Sequence, residues 1–488
     1  MVAGLNGPDI KRISSTAAGL VDEYHLPGMS VGIVIGDELA FAEGFGYADI
    51  ESGRRQDPAL RQRIGSITKT MVGMCTMALV DEGRLSLDDL VVDRLPDITF
   101  HGPAETLAVR HLVTHTGGIG EAPTMANVTN PYDVLFTDDS DIPPISKAYP
   151  DGILIEATPG TKWCYGNHGF GLLGEIIARI EGSPIEEVLK SRIFDPLGMA
   201  DTDCYDQPHP DLTTGYHRAP GIEELDLLEV LGKDPAVEDT VDGYNIRGSH
   251  PYVMPRAAGA VESTIPDMAR YASALLHGGG GIVKPETLDL MTSPQWCPDE
   301  RLGSLGITFQ RQAHFGRRTF FHGGGVGGGW NTFFMVIPEE NMAALVHMNL
   351  SSDLLGLVTS RIVQTALNAP PPSYPGEPLA PEILESAPGV YEVLPGHLTN
   401  HRPVTATGRV QITAENGGLF LRSRRGAWRE GVKMVPADPA DPMFFVLDTG
   451  ELEPPFVVLS RDGSGLINGV RFDRLVYMAR NEALQRWV

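Results

Sequence analysis

Three short stretches of this chain hold residue types that could make and break an acyl bond. In RIGSITKT, Ser66 is followed three residues later by Lys69. A serine hydroxyl is a weak nucleophile until a base takes its proton. Positions i and i+3 share one face of a helix, so Lys69 can set its amine beside the Ser66 oxygen. The residues that follow, Met71, Val72, Met74, Cys75, Met77, Ala78 and Leu79, are mostly apolar and predict a helix buried on most sides. Burial favours the neutral, basic form of a lysine, and the start of a helix favours an anion developing at Ser66. Only Lys69 among the eight lysines has a serine three residues before it. Taken alone, the pair also reads as a serine cap beside a lysine that reaches water.

The second stretch is WCYGNHGFGLLGEIIARIEG, from Trp163 to Gly182, where Tyr165-Gly166-Asn167 precedes an amphipathic helix and is the only Tyr-x-Asn of the chain. A tyrosine held near a lysine can shuttle protons. Asn167 offers a donor and an acceptor to an ester or amide carbonyl. The third is TFFHGGGVGGGWNTFFMV, from Thr319 to Val336. His322 closes an apolar strand and enters a glycine run, where Gly324 and Gly325 let a substrate come close to the strand's backbone. Backbone N–H groups of Gly325 and Ser66 could form an oxyanion hole. His-x-Gly also occurs at His115, His277 and His314, but only the His322 copy ends an apolar strand and leads into a long glycine run. Trp330 follows that run, and Lys162 and Trp163 precede Tyr165; each could line a pocket or serve as scaffold.

The elements that must position these residues follow from periodicity. Pro8 to Tyr24 reads as an amphipathic helix, and Met29 to Asp49 as two strands around a Gly36-Asp37 turn. From about residue 85 to 300 the pattern is mainly helical, with long loops at 120–160 and 204–254. After Gly303, LGITFQRQ, RRTFFHGG, WNTFFMVIPEE and MAALVHMNLSS read as successive strands, and Asp353 to Leu367 as a closing helix. Strands from both ends of the segment around a helical middle predict one antiparallel sheet with helices on its faces. Ala369 to Pro381 is proline-rich and predicts a linker. Beyond it, alternating segments predict a small all-β domain of about eight strands, a barrel or sandwich. The expected division is 1–368, 369–381 and 382–488. Arg422, Arg424 and Arg425 make the most basic patch of the last part, read as a solvated surface loop.

A length of 488 residues predicts more than one domain. The formal net charge of −25 argues against nucleic acid as a partner. No leader and no apolar run long enough to cross a membrane are read in the sequence, so the expectation is a cytoplasmic protein. Cys75, Cys164, Cys204 and Cys297 show no metal-ligand spacing and are expected to be free thiols. No metal or organic cofactor is implied.

In this order the three stretches resemble the signature of the serine β-lactamase and penicillin-binding-protein superfamily: Ser-x-x-Lys, then Tyr-x-Asn or Ser-x-Asn, then Lys-Thr-Gly or His-x-Gly. The tyrosine version is similar to the class C branch, with its D-aminopeptidases, D-Ala-D-Ala carboxypeptidases and family VIII carboxylesterases. Leu112 to Gly120 (LVTHTGGIG) and Arg256 to Leu276 (RAAGAVESTIPDMARYASALL) resemble two further family segments, so the resemblance spans about residues 8 to 368. It implies an α+β (α/β) fold of the β-lactamase/transpeptidase type: an antiparallel sheet flanked by helices plus a helical subdomain. The C-terminal part resembles the lipocalin-like barrels appended to D-aminopeptidase-type members.

The resemblance makes Ser66 the acylated nucleophile, with Lys69 and Tyr165 sharing acid–base work as a coupled pair. Ser66 and Gly325 would supply the oxyanion hole. Asn167, His322, Gly324 and Trp330 would meet substrate, and His115 would hold a loop. His322 departs from the lysine of β-lactamases; a histidine is charged only part of the time at neutral pH. The resemblance therefore implies an esterase or D-amino-acid-specific peptidase before a β-lactamase. Weak β-lactam hydrolysis, acyl transfer and a non-enzymatic acyl- or peptide-binding scaffold stay open, as does a homo-oligomer.

Overall fold

The computed structural model describes residues 5–120, 135–136, 142–204, 209–219, 240–374, 378–393, 409–424, 428–472 and 477–481. Much of the two long loops expected at 120–160 and 204–254, together with Arg425, lies outside these residues.

Eight strands form the central sheet: β1 (Gly28–Ile35), β2 (Glu38–Asp49), β3 (Arg54–Arg55), β4 (Ser304–Leu305), β5 (Gln310–His314), β6 (Arg317–Val326), β7 (Trp330–Ile337) and β8 (Met342–Met348). Their order is β4-β5-β6-β7-β8-β1-β2-β3, antiparallel throughout. β1, the first strand in sequence, pairs with the late β8 from Met29↔Met348 to Ile35↔Met342. This joint closes the first chain segment onto the last, as expected from strands at both ends of the segment. β1 and β8 are buried on both faces, which is why GMSVGIVI and MAALVHM lack polar alternation.

One face of the sheet packs on α1 (Gly7–Glu23) and on a closing helix, Leu355–Leu367; Met29, Val31 and Ile33 join Ile13, Ala17, Val358 and Ile362 in that core. The other face meets the helical layer, where α2 (Thr68–Asp81), α3 (His168–Glu181) and α4 (Ile265–Leu276) contribute to a second core with Leu345, Phe334 and Val336. α2 is the centre of this layer: every residue from Thr68 to Leu79 is buried. This is the helix buried on most sides that its apolar run predicts, with neighbours all around it.

After the closing helix, which ends with Asn368 in the left-handed region, the chain crosses to a short helix, Pro381–Ser386. Eight strands from Gly389–Val393 to Tyr477–Arg480 then run in sequence order and close, first strand against last, into a barrel. Closure leaves no free edge. The barrel interior is filled by alternate residues such as Val410, Ile412, Leu419, Leu421, Phe445 and Leu447. Arg422 lies within the strand Gly418–Ser423 and bonds Glu415 through Nη1 at 2.6 Å. It is a cross-strand ion pair and not part of a basic loop.

The barrel docks at the β5–β6 turn, on the closing helix and on the segment before β4. Glu453, between two barrel strands, accepts from His314 Nδ1 at 2.7 Å, from the Phe315 N–H at 3.0 Å and from Ser360 Oγ at 3.3 Å. Asp441 accepts from Arg301 Nη1 at 2.8 Å.

Candidate active site

Ser66 is not the cap of a helix, the alternative reading of the pair. It sits in a single 3₁₀ turn, Gly65–Ile67, and α2 begins after it at Thr68. The turn is held from two sides. The Ile64 N–H donates to Val261 O at 3.0 Å, and Thr332 Oγ1 on β7 donates to Ile64 O at 2.9 Å. Gly65 is left-handed (φ 54°), and a Cβ on it would lie 2.6 Å from the Gly325 nitrogen. The nucleophile turn thus lies directly against the glycine run of β6, and only glycine permits that approach. Ser66 is the one residue from 61 to 70 that is not buried.

Lys69 has no route to water; it is fully buried. Its Nζ donates to Ser66 Oγ at 2.9 Å, to Asn167 Oδ1 at 2.9 Å and to Ala258 O at 2.6 Å. A buried ammonium without partners would cost several kcal/mol. Three acceptors match the donor complement of an ammonium. Asn167 stands at the start of α3 but makes no side-chain cap there; its carbonyl oxygen serves Lys69. The Ala258 carbonyl was not legible in the sequence, because a backbone acceptor leaves no residue-type signal.

Tyr165, 7% exposed, presents its ring 5.2 Å from Lys69 Nζ. His115 stacks on it with ring centroids 4.2 Å apart. His115 also accepts from the Gly166 N–H through Nδ1 at 3.4 Å, and its carbonyl takes the Cys164 N–H at 2.7 Å. Trp163 lies 6.1 Å from the Tyr165 ring and His322 6.4 Å from it. Ser66, Lys69, Tyr165, Asn167, His322 and Gly325, named from three separate stretches, therefore converge.

The structure adds detail at three of the residues expected to meet substrate. His322 is 2% exposed, and its Nδ1 faces the Gly323 carbonyl at 2.6 Å. Nδ1 must then carry the hydrogen, which leaves Nε2 as an acceptor. Burial, with the Lys69 charge adding to it, pushes the His322 pKa down to about 3. The imidazole is neutral at physiological pH, not charged part of the time. Gly324 has no room for a side chain: a Cβ there would meet Ile64 O at 1.9 Å and Thr332 Oγ1 at 2.6 Å. Trp330 is 3% exposed; its Nε1 donates to Thr213 Oγ1 at 3.1 Å, and its ring lies near Arg63 and His250. It is scaffold behind the hairpin.

Arg63 and Glu262, unremarked in the sequence, form a fully buried pair just ahead of the nucleophile turn. An open groove of about 710 Å³ between α1 and β2 is lined by none of these residues. No group of three His, Cys, Asp or Glu among the described residues could hold a metal. No disulfide joins the four cysteines.

Protein Rv1367c of Mycobacterium tuberculosis is 25% identical over 358 residues, 65% of this chain and 84% of its own length. Protein flp of Staphylococcus aureus is 27% identical over 180 residues, 36% of this chain and 35% of its own. Among solved structures, the octameric penicillin-binding protein homologue from Pyrococcus abyssi superposes with a TM-score of 0.61 at 22% identity, covering 96% of this chain and all of the other. The D-amino acid amidase from Ochrobactrum anthropi SV3 (TM-score 0.58, 22% identity) and the hydrolase EstCE1 (TM-score 0.58, 18% identity) each cover 73% of this chain and 99% and 98% of their own. These likenesses show a shared β-lactamase/transpeptidase-like fold. The family model for Beta-lactamase matches residues 13–361, which include every residue of the site described above, and the chain belongs to that family.

Proposed function

We propose that the protein is a serine hydrolase that works through an acyl-enzyme on Ser66, with ester or small-peptide amide bonds as its substrates. The observation that carries this reading is Lys69 Nζ at 2.9 Å from Ser66 Oγ, inside a helix that otherwise excludes water. In acylation, Ser66 Oγ attacks the substrate carbonyl carbon while its proton passes to the Lys69–Tyr165 pair. The oxyanion gathers the N–H groups of Ser66 and Gly325. The pair returns the proton to the leaving alcohol or amine as that bond breaks. Water then adds to the ester, gives up a proton by the same route, and releases the acid with Ser66 restored.

Because the Asn167 carbonyl oxygen is engaged by Lys69, its amide NH₂ is the group left to meet the substrate carbonyl. A neutral His322 supplies an acceptor and no positive charge for a substrate carboxylate. This favours an esterase or D-amino-acid-specific peptidase over a β-lactamase. The D-amino acid amidase and EstCE1, whose description includes promiscuous acyltransferase activity, support the same substrate range and keep acyl transfer within it. The octameric homologue supports a homo-oligomer. Among the described residues no helix is long and apolar enough to cross a membrane. A cytoplasmic setting, in which the four cysteines stay thiols, belongs to this reading.

The test is a paired assay of the wild type and Ser66→Ala on a short-chain p-nitrophenyl ester, a D-alanyl p-nitroanilide and nitrocefin. Ester or D-alanyl amide turnover that vanishes in Ser66→Ala is expected. Turnover that survives the substitution would overturn the mechanism. Dominant nitrocefin hydrolysis would overturn the substrate reading, and no labelling of Ser66 by a fluorophosphonate would favour the scaffold.

A further inference from the structure

The short strand Gln62–Arg63 pairs with Glu262–Ser263, placing Arg63 opposite Glu262. Both side chains are fully buried, and Arg63 Nε lies 3.8 Å from Glu262 Oε1. That separation gives attraction between charges but no hydrogen bond. Neither carboxylate oxygen of Glu262 has a hydrogen-bond partner among the described residues. Arg63 also donates through Nη1 to Pro251 O, and its guanidinium carbon lies 5.8 Å from the Trp330 ring. A buried ion pair with this geometry adds little stability compared with apolar side chains of the same volume. Its position gives it another use.

From Arg63 the chain runs through Ile64 and Gly65 to Ser66. From Glu262 it runs back through Val261 to Ala258. The Ile64 N–H donates to Val261 O at 3.0 Å, and Lys69 Nζ donates to Ala258 O at 2.6 Å. One segment carries the nucleophile and the other carries an acceptor for its base, and Arg63–Glu262 joins the two. We propose that Arg63 and Glu262 are positioning residues for the Ser66–Lys69 pair: ionised Glu262 draws Arg63 against its strand and aligns Ser66 Oγ with Lys69 Nζ, and protonated Glu262 releases that alignment. This rests on Ser66 being the nucleophile.

The charge environment fits such a role. Burial pushes the Glu262 pKa up to about 7, with Arg63 opposing the rise. Arg63, lowered to about 10 by burial, stays cationic through neutral pH. The groups around the pair are Arg61 on Arg63's own segment and Asp203, Cys204, His250 and Tyr252 from other segments. Arg61 and Asp203 are bonded to each other at 2.7 Å. Burial holds the Cys204 thiol well above its ordinary range, and burial with Arg63 holds His250 down at about 4. Glu262 is thus placed to change charge near neutrality while Arg63, Cys204 and His250 do not.

The experiment measures the second-order rate of fluorophosphonate labelling of the full chain from about pH 5 to about pH 9, for wild type, Glu262→Gln, Glu262→Asp and Ser66→Ala. In wild type the rate is expected to rise with pH through about 7. Glu262→Gln is expected to lose that limb and to label about 10²-fold more slowly than the wild-type plateau, a loss of the size that misplaced reacting groups produce. Glu262→Asp is expected to regain the limb and part of the rate. A Glu262→Gln rate and profile equal to wild type would overturn the proposal.

Should Glu262→Gln fail to fold, the temperature dependence of the wild-type limb decides. A carboxyl ionises with little heat and its midpoint stays nearly fixed, whereas an amine or phenol limb shifts steeply, which would overturn the proposal. Labelling of Ser66→Ala at the wild-type rate would overturn the nucleophile reading itself. A silent Ser66→Ala beside a flat wild-type profile would overturn only the role of Arg63 and Glu262.

Discussion

Lys69 is held by Ser66, Asn167 and Ala258, three points separated in sequence. Such a lysine is defined by its partners more than by its helix. Lys69→Met keeps the length of the side chain and removes the amine. It is expected to lower the rate of Ser66 acylation by about 10²- to 10⁴-fold, the range of general acid–base catalysis. Circular dichroism should stay unchanged, since α2 is packed by apolar neighbours. Stopped-flow acylation with a p-nitrophenyl ester would reveal it, and a Lys69→Met enzyme of ordinary rate would remove Lys69 from the mechanism.

A second residue-scale effect concerns pH. His347 on β8 is 2% exposed, and burial pushes its pKa from 6.5 to about 3. The unfolded chain binds a proton at this histidine below 6.5 while the folded chain does not, so folding stability falls as pH falls across the window from 6.5 to about 3. His347→Gln removes this proton uptake. The difference in Tm between wild type and His347→Gln should therefore move against the wild type as pH is lowered through that window. Parallel Tm curves for the two proteins would show that His347 titrates alike in both states. His322, lowered to about 3, acts with the same sign.

At the scale of elements, the site depends on how closely β6 and β7 approach the nucleophile turn. Thr332 on β7 reaches across to the Ile64 carbonyl, and the missing side chains of Gly65 and Gly324 let the backbones meet. Thr332→Val keeps the shape and removes one of the two hydrogen bonds to the Ile64 carbonyl, which still accepts from the Ile67 N–H at 3.3 Å. It is expected to cost about 0.5–1.5 kcal/mol of stability, the net worth of one hydrogen bond. It should also lower kcat more than it raises KM, because the turn that carries Ser66 loses one of its two anchors. Urea unfolding and steady-state kinetics on one preparation would measure both. A loss of stability with unchanged kcat would mean that the Val261 anchor alone sets the turn.

Across the whole molecule, the barrel is tied to the turn between β5 and β6, to the closing helix and to the segment before β4. Glu453 holds the His314–Phe315 turn and Ser360 at once, and Asp441 holds Arg301. Intrachain interfaces of this polar kind allow parts of a chain to move apart unless specific contacts hold them. Glu453→Ala removes three hydrogen bonds and leaves the barrel core untouched. Calorimetry is expected to show the barrel and the sheet unfolding in separate transitions, and the 369–381 segment to be cut faster by protease. A single transition at the wild-type temperature would show that Glu453 does not hold the two together.

How much of this was readable in advance depended on the range of the interaction. The helix of α1, the turn between β1 and β2, the late run of strands and the alternating C-terminal segments follow from local periodicity and turn residues, and the structure bears them out within a few positions. The order Ser-x-x-Lys, Tyr-x-Asn and His-x-Gly identified the family for the same reason, since each motif is short and keeps its spacing. Burial and pairing between distant residues were not readable. Lys69 meets the Ala258 carbonyl, His322 is neutral, Gly324 makes room for Ile64, Trp330 turns to Thr213, and Arg63 faces Glu262. The sequence by itself determined which groups were available for chemistry and the elements that bear them. Only the tertiary structure decided their protonation, tautomer and partners, because desolvation and charge act through space between segments that the chain brings together only on folding.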